Sequence, residues 1–198
     1  HPTTTMNTPT RCSFLASTSG LAFSAATHAF AANGSSDIKI ALIGCGGRGT
    51  GACNQALSAG STIKLVAVLD PLEGKAQAAL DILKQKHEGQ VDVPLDQVFT
   101  QFEDWQKVYQ LADVVLITTP PGPRPFLFEQ AIKAGKHVFM EKPVAVDAVG
   151  VRRVLAAAEE AKKKNLNVCV GFQRRYAPSY IDVINRIHQG EIGDLVYG

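Results

Sequence analysis

The sequence predicts an α/β fold in which helices cover both faces of a doubly wound parallel sheet. Short apolar runs alternate with helical patterns from Asp37 onward, and one strand is built around the continuous apolar run Val114–Ile117. A continuous apolar run is expected in the covered interior of a parallel sheet, and strand–helix alternation is typical of crossover connections. The predicted strands are Ile38–Ile43, Ile63–Leu69, Val98–Phe99, Ala112–Thr118, His137–Met140 and Asn167–Gly171.

Helices are predicted between these strands, from apolar residues at helical spacing. Two of them have recognisable ends, since Asp147 is a typical N-cap and Gly135 is a typical residue after a helix C-terminus. The predicted helices are Arg48–Ser58, Leu72–Lys86, Glu103–Gln110, Phe126–Ala134, 148–164 and Pro178–His188.

Composition and charge indicate a soluble globular domain and exclude several kinds of site. The chain has 198 residues, of which 45% are hydrophobic and 19% charged, with a net charge of +2. It has no basic block of the kind that binds nucleic acid, and no CxxC pair or Cys/His cluster that predicts a metal site. Cys53 and Cys169 are expected to be small buried thiols.

The first 34 residues are predicted to stand apart from the fold, as a tag-like start followed by an export signal. One cation, Arg11, precedes the weakly apolar run Phe14–Ala26, which is typical of a signal segment and too short to span a membrane. The residues around Arg11 resemble a twin-arginine signal in which Cys12 replaces the second arginine. We therefore expect export to the periplasm, with a disordered tail on a cytoplasmic protein as the alternative.

A glycine-rich loop joins the first predicted strand to the first predicted helix. Gly44, Gly46 and Gly49 satisfy the spacing G-x-G-x-x-G, which is a weak signal alone in a chain with 17 glycines and a stronger one between a strand and a helix. In such a turn the first glycine permits tight bending, the second lets the backbone approach a pyrophosphate, and the third lets helix and strand pack closely. The helix N-terminus then attracts the phosphates. The loop, with further freedom from Gly47, predicts a dinucleotide site.

Asp70 and Arg48 extend this predicted site. Asp70 ends the second strand, where a carboxylate accepts hydrogen bonds from the ribose hydroxyls of the adenosine half. Because a 2′-phosphate would meet this negative charge, the sequence favours NAD over NADP as the cofactor. The alternative is that Asp70 only begins a turn with Pro71. Arg48 either contacts phosphate or lies exposed in the loop.

Polar residues follow the fourth and fifth predicted strands, at the edge where open α/β sheets bind ligands. Thr118, Thr119 and Pro120 end the fourth strand, and Glu141 and Lys142 follow the fifth. We expect the ammonium of Lys142 in a partly dry cleft near the nicotinamide, where it holds a substrate hydroxyl and stabilises developing oxyanion charge. Glu141 then orients this lysine or binds the nicotinamide ribose, and an ordinary surface ion pair is the alternative.

These motifs together resemble the Gfo/Idh/MocA family, which includes glucose–fructose oxidoreductase and inositol dehydrogenase. The most distinctive part is Ala134–Val138 followed by Glu141–Pro143, and the match extends from about Ile38 to Gly198. The resemblance implies a Rossmann domain that binds a dinucleotide, and an NAD(P)-dependent oxidoreductase that acts on a sugar or polyol.

The resemblance also implies roles for particular residues. Lys142 is then catalytic, and Arg175, in the segment that enters the second domain, approaches the nicotinamide side of the cofactor. A homo-oligomer is expected for the full-length parent protein.

Two features depart from the family pattern. Many members place a histidine soon after the Thr-Pro pair, where this chain has Pro121–Pro125. The family's Asp-x-x-x-His pair comes from a large C-terminal β-sheet domain, which is expected to begin where this chain ends, and His188 is expected to face solvent instead of replacing it. We therefore predict a dinucleotide-binding domain over 35–172 and the start of a truncated substrate domain over 173–198, inactive without the rest.

Three functions fit these residues. The first is the cofactor half of a sugar or polyol dehydrogenase. The second is an exported NAD-dependent glycosidase of the same family, which oxidises its sugar only transiently. The third is a nucleotide-binding fragment without catalysis.

Overall fold

The structure, a computed structural model, describes residues 37–196 as one α/β unit. The predicted export signal lies outside the described residues and stays a prediction. All six predicted strands are present, and the bounds of the fourth and sixth are shorter than expected. The strands are β1 Ile38–Ile43, β2 Ile63–Leu69, β3 Val98–Phe99, β4 Val114–Ile117, β5 His137–Met140 and β6 Val168–Val170.

The strands form one sheet in which every pairing is parallel, so the predicted sheet is confirmed. Their order is β3-β2-β1-β4-β5-β6, with β1 paired to β2 on one side and to β4 on the other. The chain winds outward from β1 in both directions, and ligands bind such sheets at this switch point, outside the carboxyl ends of the strands. The loops after β1, β2, β4, β5 and β6 all lie at that carboxyl edge.

The α-helices follow the predicted pattern, with one addition. Asp147 caps its helix as expected, accepting a hydrogen bond from the Gly150 N–H at 2.6 Å. A short helix after β6 was not predicted, because four residues carry no helical periodicity. The helices are α1 Gly47–Ser58, α2 Lys75–His87, α3 Trp105–Leu111, α4 Arg124–Lys133, α5 Ala148–Lys163, α6 Gln173–Tyr176 and α7 Pro178–His188.

The start of α2 differs from the prediction by one turn. We expected the helix to begin at Leu72, and it begins at Lys75. Gly74 adopts φ +73°, a left-handed conformation that a glycine tolerates and that interrupts a helix. The preceding residues therefore form a turn that leads away from Asp70.

Two apolar clusters cover the two faces of the sheet. One contains the inward side chains of α3, α4 and α5, with Tyr109 and Phe128 fully buried. The other contains those of α1 and α2, with Leu57 and Leu80 fully buried. The burial of both faces of β1 and β2 explains why these strands are nearly continuous apolar runs.

The two cysteines expected to be buried differ from each other. Cys53 on α1 is fully buried, as predicted, whereas Cys169 on β6 is exposed. The prediction for Cys169 was wrong because β6 is the edge strand of the sheet, and its neighbours within the described residues leave its side chain open to solvent. Burial raises the pKa of the Cys53 thiol to about 12, so this thiol stays protonated at neutral pH.

No helix among residues 37–196 is both long and apolar enough to cross a membrane. Over the same range no group of three or more His, Cys, Asp or Glu side chains is arranged to hold a metal ion.

Candidate functional site

Two glycines of the loop after β1 are required by packing. Gly44 adopts φ +95°, and a Cβ there would lie 2.7 Å from the Thr119 nitrogen. A Cβ on Gly49 would lie 1.9 Å from the Gly44 carbonyl oxygen and 2.5 Å from Thr118 Oγ1. The Thr118 hydroxyl also donates a hydrogen bond to that carbonyl at 2.6 Å. The β1–α1 turn is therefore packed directly against the end of β4.

The other two glycines are not required by packing. Gly46 and Gly47 are exposed, and a Cβ on either would meet no atom within 4 Å. Gly46 has φ −69° and ψ 177°, an extended conformation that any residue adopts. It precedes α1, whose first N–H groups receive no side-chain cap from the described residues. This uncapped helix N-terminus leaves room for a phosphate group to approach the backbone N–H groups closely. We call the surface formed by Gly46 and Gly47 the open cradle.

The carboxylate of Asp70 lies directly behind this loop. Asp70 follows β2 and is only 7% exposed. Its Oδ2 accepts a hydrogen bond from the Cys45 N–H at 2.7 Å, and its Oδ1 accepts one from the Leu72 N–H at 2.9 Å. Asp70 thus shapes the glycine loop and the turn after β2 together. A carboxylate has about four lone-pair positions, so each oxygen keeps a further acceptor site.

Removal of the Asp70 side chain is expected to have two effects. Asp70→Ala lowers the free energy of unfolding by about 1–3 kcal/mol, because the buried Cys45 N–H loses its acceptor. It also weakens NAD binding about tenfold or more while affecting NADP less, since a 2′-phosphate no longer faces a negative charge. Titrations of both dinucleotides below the melting temperature measure the second effect.

Asp113→Ala is the matched control for this variant. The Asp113 carboxylate also accepts a backbone N–H, that of Lys39 at 2.9 Å, but at the opposite edge of the sheet. We expect this control to leave the ratio of NAD to NADP affinity unchanged. An equal loss of both cofactors in Asp70→Ala would contradict the assignment to the ribose.

The loop cysteine is part of the core and not a nucleophile. Cys45 is 4% exposed, and its thiol contacts the Leu69 carbonyl oxygen at 3.7 Å. Burial, with the nearby negative charge of Asp70, raises the pKa of this thiol to about 12. The thiol therefore stays protonated at neutral pH and packs as a small apolar group.

Arg48 and Glu141 form an ion pair across the carboxyl edge of the sheet. Arg48 Nε lies 2.6 Å from Glu141 Oε1, with the arginine side chain half exposed and the glutamate side chain 5% exposed. Because β4 lies between β1 and β5, this pair joins the first turn of α1 to the end of β5 past the intervening strand. The sequence pointed to phosphate or to solvent for Arg48, and neither expectation included this partner.

The Glu141 carboxylate is enclosed on its other side. Its Oε2 accepts a hydrogen bond from the Lys142 N–H at 3.2 Å. A Cβ on Gly171 would lie 2.5 Å from its Oε1, so the chain leaving β6 packs against this carboxylate. Glu141 therefore interacts with the glycine loop, with Lys142 and with the segment that follows β6.

Lys142 lies at the rim and its side chain is exposed to solvent. The Lys142–Pro143 peptide bond is cis. The sequence interpretation expected a partly dry cleft around this ammonium, and the surfaces formed by residues 37–196 do not supply one. Arg175 is likewise exposed, on α6, with its guanidinium 5.9 Å from the centroid of the Phe172 ring.

A buried arginine at this edge was missed by the sequence interpretation. Arg124 is the first residue of α4 and is 3% exposed. The only sequence signal for it was the departure from the family pattern at Pro121–Pro125. Its guanidinium donates to the carbonyls of Thr119 and Glu141, so it connects the loop after β4 to the loop after β5.

The two residues of the Thr-Pro pair after β4 differ in exposure. Pro120 is exposed at the rim, whereas Thr119 is 7% exposed. Among the described residues, Thr119 Oγ1 and Arg124 Nε are the two buried side-chain atoms that lack a hydrogen-bond partner. A buried hydroxyl without a partner at a ligand-binding edge fits a site that a bound group completes.

Comparisons with known proteins agree with this geometry. Residues 38–172 match the Gfo/Idh/MocA family, described as "Oxidoreductase family, NAD-binding Rossmann fold". The inositol 2-dehydrogenase of Salmonella paratyphi B is 32% identical over 168 residues, which cover 81% of this chain and 45% of that protein. The scyllo-inositol 2-dehydrogenase (NAD(+)) of Bacillus subtilis is 30% identical over 161 residues, covering 81% and 43% respectively.

A solved structure gives the same result. The crystal structure of scyllo-inositol dehydrogenase from Lactobacillus casei with bound NAD(H) and scyllo-inositol is 31% identical, with a TM-score of 0.61. The alignment covers 80% of this chain and 43% of that one, so the chain spans less than half the length of these relatives. The predicted fold and NAD cofactor are confirmed at the level of the family. The strand order, the glycine loop and the match over residues 38–172 show that this chain belongs to the Gfo/Idh/MocA family of NAD-binding oxidoreductases.

Proposed function

We propose that this chain binds NAD along the carboxyl edge of its sheet and forms the cofactor-binding part of a polyol or sugar dehydrogenase. The observation that carries the proposal is the open cradle at Gly46 and Gly47, which no packing requirement of the fold explains. Asp70 and Lys142 lie at the same edge, after β2 and β5. Relatives named as inositol dehydrogenases make cyclic polyols the first substrates to test.

The dinucleotide would be held by two groups that the fold already positions. The free N–H groups of the first turn of α1 would bind the pyrophosphate. The remaining lone pairs of Asp70 would accept hydrogen bonds from the adenosine ribose hydroxyls, and its negative charge would disfavour a 2′-phosphate. This arrangement supports NAD over NADP.

Lys142 is the residue of the chain that would act on the substrate. Bound NAD⁺ supplies the acceptor for a hydride from the carbinol carbon. The Lys142 ammonium would donate a hydrogen bond to the hydroxyl oxygen on that carbon and stabilise the negative charge that develops there as the alcohol becomes a ketone. The hydroxyl proton would leave to a general base, the role that the Asp-x-x-x-His pair of the substrate domain would fill. The Glu141 carboxylate is paired with Arg48, so it does not draw the ammonium away from the substrate.

Assays of the full-length protein distinguish this reaction from its alternatives. With NAD⁺ and myo-inositol, scyllo-inositol or a free sugar, we expect net NADH formation at 340 nm. Cleavage of an aryl glycoside without net NADH would instead show the NAD-dependent glycosidase. Binding of NAD with neither reaction would show a protein that holds the dinucleotide without catalysis.

A further inference from the structure

Arg124 is a buried cation whose hydrogen bonds all go to backbone carbonyls. The residue begins α4 and is 3% exposed. Its Nη2 donates to the Thr119 carbonyl after β4. Its Nη1 donates to two carbonyls after β5, that of Glu141 at 2.6 Å and that of Pro143.

The two carbonyls that share Nη1 flank a single residue, Lys142. The backbone is therefore fixed immediately before and immediately after the lysine, while the lysine side chain extends outward to the rim. The third carbonyl, that of Thr119, belongs to the neighbouring loop. One guanidinium thus sets the position of the Lys142 backbone relative to the end of β4.

The charge of Arg124 is maintained in this buried position. Burial lowers the pKa of the guanidinium, and the nearby negative charge of Glu141 opposes that shift. Arginine remains protonated under such conditions, and its planar fork holds two terminal nitrogens at a fixed separation. A lysine at this position would keep the charge but would have one nitrogen to serve three carbonyls.

We propose that Arg124 is the positioning residue for Lys142: it fixes the backbone on both sides of the lysine so that the ammonium meets the substrate hydroxyl. This inference rests on the proposed function of Lys142. Because Arg124 is only 3% exposed, it would act through the lysine and not by direct contact with the substrate.

The test is a double-mutant cycle on turnover in the full-length protein. Arg124→Lys is expected to lower kcat by about 100-fold, since a displacement of about 1 Å costs this much, and to change the Kd of NAD by less than about threefold, because the glycine loop is not among its contacts. In a Lys142→Met background, Arg124→Lys is expected to cause no further loss, because residues that act as one unit are not additive. Arg153→Gln, which removes an exposed cation of α5, is the control and should leave kcat unchanged.

Other outcomes contradict the inference. A loss that adds fully to that of Lys142→Met would mean that Arg124 acts by another route, and an unchanged kcat would mean that it does not position the lysine. Arg124→Gln keeps an amide donor and is the second variant. If both variants fail to fold, Arg124 serves stability alone and the inference is wrong. If Lys142→Met itself retains full turnover, the proposed function fails first, so the two failures are distinguishable.

Discussion

Gly49→Ala is expected to destabilise the domain more than a Gly→Ala substitution at any other glycine of the loop. The new Cβ would lie 1.9 Å from the Gly44 carbonyl oxygen, and that oxygen is held in place by the Thr118 hydroxyl. The Gly44 oxygen is a backbone atom, so the backbone itself must move to make room. We expect a loss of about 3 kcal/mol or more in the free energy of unfolding, which lowers the melting temperature by roughly 6–12 °C for a domain of this size.

Gly46→Ala is the matched control for this effect. The same methyl group at Gly46 meets no atom within 4 Å, so the melting temperature should stay within about 2 °C of the native value. Thermal unfolding followed by circular dichroism measures both variants. Equal melting temperatures for Gly49→Ala and the native protein would contradict the packing of the turn against β4.

Lys142→Met is expected to have the largest effect on catalysis. The substitution keeps the length of the side chain and removes the ammonium that would stabilise the developing oxyanion, an interaction worth about 100- to 1,000-fold in kcat. The Kd of NAD should change little, since the pyrophosphate and adenosine contacts are made by α1 and Asp70. Turnover of the full-length protein with the polyol that it oxidises, together with a titration of NAD, measures the two quantities.

Lys39→Met controls for the loss of a surface cation. Lys39 is exposed at the opposite edge of the sheet, so its removal should change neither turnover nor NAD affinity. If Lys142→Met retained the kcat of the native enzyme, Lys142 would have no part in the reaction. If it lost NAD affinity and turnover together, the lysine would bind cofactor and not substrate.

The fold and one side of the site could be predicted because their signals are local. Apolar runs such as Ile63–Leu69 appear in the sequence as strands, and the glycine spacing stands directly between a strand and a helix. The start of α2 was misplaced because the left-handed Gly74 does not interrupt the apolar periodicity around it. Cys169 was misplaced because its sequence context does not show that β6 lies at the edge of the sheet.

The contacts that complete the site are non-local, and this is why the sequence did not predict them. The partner of Arg48 is Glu141, 93 positions away, and each residue alone is an ordinary charged residue in a loop. The acceptors of Arg124 are carbonyl oxygens, which every residue carries and which leave no pattern in a sequence. Arg124 reaches these partners because β4 and β5 are neighbours in the sheet, which brings the loops that follow them close together.

The central claim is that the open cradle at Gly46 exists to admit a dinucleotide, and calorimetric titration of NAD into the 198-residue chain tests it most directly. We expect saturable binding at one site per chain, and in Gly46→Ala a loss of affinity of at least about tenfold without a matching loss of thermal stability. No binding at millimolar NAD, or equal affinities in the two proteins, would contradict the claim.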